Sequence, residues 1–207
     1  MGNQITDRPA PSTVGLLAAE MVTTLEADPE FGRLRESTLL YTDCWATYTG
    51  LPLVARWDLD QDSAPLFTEA LRVLALKAAV YELTDGDEHL AELLVPPPVD
   101  EMVHAVIAQA TICTRIQQRA KVPLIHSTDR ERWGWDHGDY TEQAYRAAGW
   151  GTPPARYWIG AAEVTRRLGL LNARYESIGI RRGGRSHELD FGTAAASDAE
   201  ANELRAG

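Results

Sequence analysis

Asp100 and His104 stand four residues apart in the run PPPVDEMVHAVIAQATICTRIQQRA, Pro96 to Ala120. On a helix that spacing stacks two side chains on one face. A carboxylate so placed can fix the tautomer of an imidazole, pair with an imidazolium, or share a metal ion with it. A second imidazole, His126, follows at the end of a short apolar segment, Val122 to Ile125. Two imidazoles and one carboxylate bind zinc or ferrous iron and leave positions open for water and substrate. Asp100, His104 and His126 are therefore the candidate metal ligands. Without a metal, Asp100 could orient His104 for acid–base catalysis, with His137 and Tyr140 as further catalytic candidates. The plainest alternative is a buried Asp–His hydrogen bond at a helix start, where the carboxylate complements the helix dipole. The spacing is not an established signature of the H-E-x-x-H kind.

These groups need elements to hold them. Three prolines give a stiff extended lead-in and suit a first helical turn, whose N–H groups lack intrahelical acceptors. Met102, Val103, Val106, Ile107, Ala110 and Cys113 then recur at helical steps, predicting one amphipathic helix over 98–119. Residues 65–83 are apolar on nearly every side, as in the central helix of a bundle. Lys77 interrupts that pattern; its amine is read as snorkelling to solvent rather than as a buried catalytic group, and as a candidate at the edge of a ligand pocket. Trp133 and Trp135 lie in the polar run STDRERWGWDHGDY and are candidate pocket residues, as a lid or as simple loop anchors.

The remaining order is a flexible arm at 1–12, a helical domain at 13–185 and a disordered acidic tail at 186–207. Helices are expected over about 14–26, 29–48, 141–148 and 154–180, with a short one leading to the prolines. Leu51 to Trp57 is compatible with a strand but has no obvious partner. Asp58, Asp60 and Asp62 lack the glycine and distal glutamate of a calcium loop and are read as a solvated acidic loop.

The words Pro97-Pro98-Val99-Asp100-x-x-Val103-His104, Ile125-His126, Tyr140-Thr141 and Ala147-Ala148-Gly149-Trp150, followed by Pro153, Pro154 and Trp158, resemble the helical domain of the glycine-rich domain-containing proteins of plants and their uncharacterised bacterial relatives. The resemblance covers roughly Leu66 to Trp158. It departs from the family pattern at Val103, where the family has tryptophan, and at His126-Ser127, where the family has a histidine pair. It implies a mostly helical fold and no established reaction.

At 207 residues the chain is ample for one core, and 44% hydrophobic with 24% charged residues is an ordinary soluble composition. No apolar run reaches the eighteen residues of a membrane span, and the N-terminus lacks a signal-peptide pattern, which places the protein in the cytoplasm. Cys44 and Cys113 are too few for a disulfide framework and read as buried, inert thiols. No nucleophile elbow, phosphate loop or dinucleotide fingerprint is present.

A net charge of −10 argues against a nucleic-acid-binding surface. Against it, seven arginines between Ala155 and Arg185 face only Glu163 and Glu176. Arg166, Arg167, Arg181 and Arg182 are the candidate partner-binding residues. The words from Ala161 to Leu170 also resemble the first half of a helix-turn-helix, a DNA-binding alternative through 160–185. The pattern fixes no oligomeric state. The expectation is a predominantly all-α, single-domain helical bundle with long loops. Its function is read as a small-molecule-binding, metal-assisted enzyme, the alternative being a non-catalytic protein-interaction module.

Overall fold

The computed structural model describes residues 8–44, 50–127, 134–182 and 184–190. Among them the fold is all-α apart from one two-residue strand pair. The helices are α1 (Pro11–Glu26), α2 (Phe31–Cys44), α3 (Leu59–Leu83), α4 (Glu88–Ala91), α5 (Pro97–Ile107), α6 (Ala110–Ala120), α7 (Tyr140–Ala147) and α8 (Ala161–Glu176). The strands β1 (Ile180–Arg181) and β2 (Ser186–His187) pair antiparallel. The chain divides into two units, Met1–Leu168 and Gly169–Gly207. The first is the helical bundle. The second holds the end of α8 and the strand pair. No described helix is long and apolar enough to cross a membrane.

α3 is the axis of the bundle, packed by α1, α2, α4, α5 and α7. Its apolar surface on all sides makes that position necessary, and Leu66, Val73, Leu74, Leu76 and Val80 are fully buried. It starts a turn and a half before the expected Pro65. Asp58 caps it, accepting a hydrogen bond from the Gln61 N–H, while the Asp58 N–H donates back to the Asp62 carboxylate. The supposed acidic loop is thus largely helix. Asp62 is buried, held by Arg156 and by the Tyr157 hydroxyl 2.9 Å away. Its arginine partner keeps the carboxyl down at about 2, well below the usual carboxylate range.

α1 buries Val14, Gly15, Ala18, Met21 and Leu25, one face at helical spacing, against α3 and α7. Gly15 is required there: a Cβ would lie 2.5–2.7 Å from the backbone atoms of Ala144, Ala147 and Ala148 in α7. Of the arm expected over 1–12, residues 8–12 are described, and Pro11 and Ser12 already belong to α1, where proline suits the first turn. The Arg8 guanidinium donates to the carbonyls of Leu90 and Glu92, both at 2.9 Å. Leu51–Leu53 forms a 3-10 turn instead of a strand, and among the described residues no strand pairs with it.

The helix expected over 98–119 is two. Gln109 leaves the helical region at ψ 42°, and its side-chain amide donates to the Ala105 carbonyl. The Cys113 thiol donates to the Val106 carbonyl, which also accepts from the Gln109 N–H at the break. The bend lets α5 pack on α3 while α6 packs on α2. Arg115 and Arg119 of α6 grip Glu30 and Asp28 in the α1–α2 connection, which secures the second half. Burial pushes the Cys113 thiol up to about 11, leaving it inert as expected. Cys44 has no described side chain.

α8 begins only at Ala161. Trp158, expected within it, lies in the preceding loop and is buried in the core. Gly169 sits inside α8, which runs on to Glu176. Residues 161–176 therefore form one continuous helix and not the first helix and turn of a helix-turn-helix. Of the expected disordered tail, Ser186 and His187 form β2, and residues 191–207 lie outside the described set.

Candidate metal centre

Pro97 and Pro98 occupy the first turn of α5 and set its start without a side-chain cap. That start places Asp100 in the first turn and His104 one turn later, on the margin of a face made by Val99, Met102, Val103 and Val106. The Asp100 carboxylate is 5% exposed and the His104 ring 37%, so one ligand is sunk in the protein and the other borders solvent. Their nearest atoms, Asp100 Oδ2 and His104 Nε2, are 3.9 Å apart. That is beyond a direct hydrogen bond, and the simple Asp–His bond is not what the geometry shows.

His126 returns to this point along an extended path. Lys121, with a left-handed backbone at φ 57°, ends α6. Val122 and Leu124 then bury their side chains, and the Leu124 carbonyl accepts a hydrogen bond from Gln117 of α6. The His126 ring stops 4.5 Å, centroid to centroid, from that of His104. One donor atom from each of Asp100, His104 and His126 lies within 4.8 Å of the other two. Bonds of roughly 2.1 Å to a tetrahedral ion would set such donors about 3.4 Å apart, so small side-chain rotations close the set. The cluster can coordinate a metal.

Behind His126 stands a group that the sequence reading misjudged. Lys77 does not snorkel: it is fully buried, because α3 is enclosed on all sides and no route to solvent is open. Its ammonium donates to Glu92 Oε1 at 2.6 Å and lies 3.1 Å from His126 Nδ1. An ammonium has only donors, so Nδ1 accepts and the neutral ring carries its proton on Nε2. Burial first, then the charge of Lys77 and the neighbouring His104, lower His126 to about 3. The ring is uncharged at neutral pH, as a metal ligand must be. In that state its proton sits on Nε2, so coordination through Nε2 would require that proton to leave and Nδ1 to be released from the Lys77 ammonium. Glu92 was absent from the candidate residues. The available signal was Lys77 itself, since a lysine inside an apolar helix needs a buried acid.

The other candidates lie elsewhere. His137 is 64% exposed, stands 3.3 Å from Glu142 and meets Trp135 edge-on. The Tyr140 hydroxyl donates to the Pro9 carbonyl, and burial raises its pKa. Neither joins the Asp100, His104 and His126 cluster. Trp135 is buried against Trp158, with ring centroids 5.1 Å apart, and is a core residue instead of a pocket wall. Trp133 lies outside the described residues. Arg166 and Arg167 both pair with Glu163, and Arg167 also donates to the Leu53 carbonyl. Arg181 pairs with Glu188, and Arg182 sits in the β1–β2 connection with φ 56°.

No protein-family model, curated protein or solved structure matches the chain.

Proposed function

We propose that the protein is a metal-dependent enzyme for a small-molecule substrate, with zinc or ferrous iron held by Asp100, His104 and His126. The convergence of these three side chains from α5 and the segment after α6 carries the reading. A site of three protein ligands keeps positions for water and substrate, as catalytic sites do and closed structural sites do not. The exposed edge of His104 supplies the open side. An ion bound there would polarise an oxygen of the substrate or make a bound water nucleophilic at neutral pH. The likeness of the Pro97–His104 and Ile125–His126 words to the glycine-rich domain-containing proteins is kept as a proposed distant kinship, and it adds no reaction.

Metal analysis of protein purified without a polyhistidine tag tests this reading. One zinc or iron ion per chain, lost in both His104→Ala and His126→Ala, is the expected result. A metal-free parent that takes up neither ion on addition would contradict it. The interaction-module reading has its own support in the second unit, where Leu170, Ile178 and Leu189 are 55%, 57% and 45% exposed. Loss of metal with retained binding of a protein partner would favour it.

A further inference from the structure

We propose that the chain associates with copies of itself head to tail, the exposed stripe of α8 in one copy seating in an acidic groove between α2 and α3 of the next. Two surfaces carry the proposal. The first is α8 with the turn that follows it. Of its 16 residues, this helix buries only Val164. Helices of that length owe most of their stability to a packed apolar face, so α8 lacks the cover a helix normally has. Leu170 and Ile178 are exposed with Arg174 between them, and the Arg174 guanidinium makes no hydrogen bond or ion pair with any described residue.

The second surface is a groove of about 470 Å³. Leu39 and Leu40 of α2 and Leu59 and Ala64 of α3 give it an apolar lining, to which Glu36 and Asp60 add two carboxylates. Neither carboxylate has a partner among the described residues.

Charge selects the occupant. In a two-fold pairing of α8 with α8 the stripe would meet itself, cation facing cation, and like charges in contact weaken an interface. A partner for this stripe must offer apolar side chains with carboxylates among them. The groove offers both, and every copy carries it. Groove and stripe are different surfaces, so the contact is heterologous and repeats from copy to copy. It is also small, which sets a weak association, with mass growing over a concentration range on the order of 10–500 µM.

Sedimentation equilibrium of the full chain tests this on the parent, Leu40→Arg and Leu170→Glu, with circular dichroism to confirm the fold. The two positions are 65% and 55% exposed, so the changes leave the core intact. Neither lies in the Asp100, His104 and His126 cluster, and the outcome does not depend on the metal reading. The parent should grow in mass with concentration, past the dimer. Each variant alone should stay monomeric, losing at least about 10-fold in association constant. An equimolar mixture is the decisive arm. Leu40→Arg keeps an intact stripe and Leu170→Glu an intact groove, so the mixture should form one-to-one dimers and nothing larger.

A parent that stays monomeric overturns the proposal and leaves the groove to another occupant. Association that survives either change also overturns it; if Leu170→Glu alone abolishes it, α8 pairs with α8 instead. A mixture of the two variants that stays monomeric overturns it as well.

Discussion

Replacing Glu69 with glutamine tests how the polar interior of the bundle is held, and the geometry sets the size of the effect. Glu69 lies in α3 and is 3% exposed. Its Oε1 accepts from Arg72 Nη1 at 2.7 Å, and its Oε2 from the Trp158 indole N–H at 2.8 Å. The Tyr145 hydroxyl reaches both oxygens, at 3.1 and 2.9 Å. A glutamine has one carbonyl oxygen and one amide nitrogen, so one donor must lose its acceptor. Tyr145 can turn and accept instead; the indole and the guanidinium cannot. Trp158 is buried, so the oxygen goes to its N–H and the amide faces Arg72, which is 25% exposed and can turn to water. The loss is one charge-assisted hydrogen bond, about 1.5–3 kcal/mol. Glu69→Ala also leaves the buried Tyr145 and Trp158 donors without a partner and should cost about 3–5 kcal/mol. Urea unfolding at pH 7, followed by tryptophan fluorescence, measures both. Glu69→Gln within about 0.5 kcal/mol of the parent, the range of an ordinary surface change, would refute the argument.

Two further outcomes follow from the packing and the titration of the core. Gly15→Ala forces a methyl group into the α7 backbone and should destabilise by about 2 kcal/mol or more, whereas Gly32→Ala, with nothing near its Cβ, should not; thermal unfolding compares them. His126 is held at about 3 against an ordinary 6.5, so between those values the unfolded chain keeps a proton that the folded chain lacks. Stability from this group is therefore constant above pH 6.5 and falls as the pH drops toward 3. After discounting for partial exposure, the loss is on the order of 2 kcal/mol. His126→Gln should remove that slope; parallel stability curves for parent and variant between pH 7 and 4 would count against it.

The parts legible in the sequence were those that local chemistry decides. The prolines at 97 and 98 set the start of α5, and four-residue spacing put Asp100 beside His104. Apolar Val122 and Leu124 were enough to suggest that the following segment packs down and returns His126. What escaped was set by distant partners. Lys77 is buried because Glu92 lies across the α3–α4 turn, a pairing that no periodicity reports. Asp62 left its expected loop for Arg156 and Tyr157, ninety-four and ninety-five residues away. The break between α5 and α6 has no glycine or proline to mark it; it follows from the packing of α6 on α2 and the grip of Arg115 and Arg119 on Glu30 and Asp28. His137 and Tyr140 looked catalytic by residue type alone, while their contacts are with Glu142, Trp135 and Pro9.

The central claim is that one ion joins side chains from α5 and the segment after α6. Crystals of the protein grown with stoichiometric zinc, with anomalous diffraction recorded at the zinc edge, test it most directly. The account predicts a single strong peak about 2.0–2.2 Å from one oxygen of Asp100 and one nitrogen each of His104 and His126. Zinc bound elsewhere, or no peak between these three residues, would contradict it.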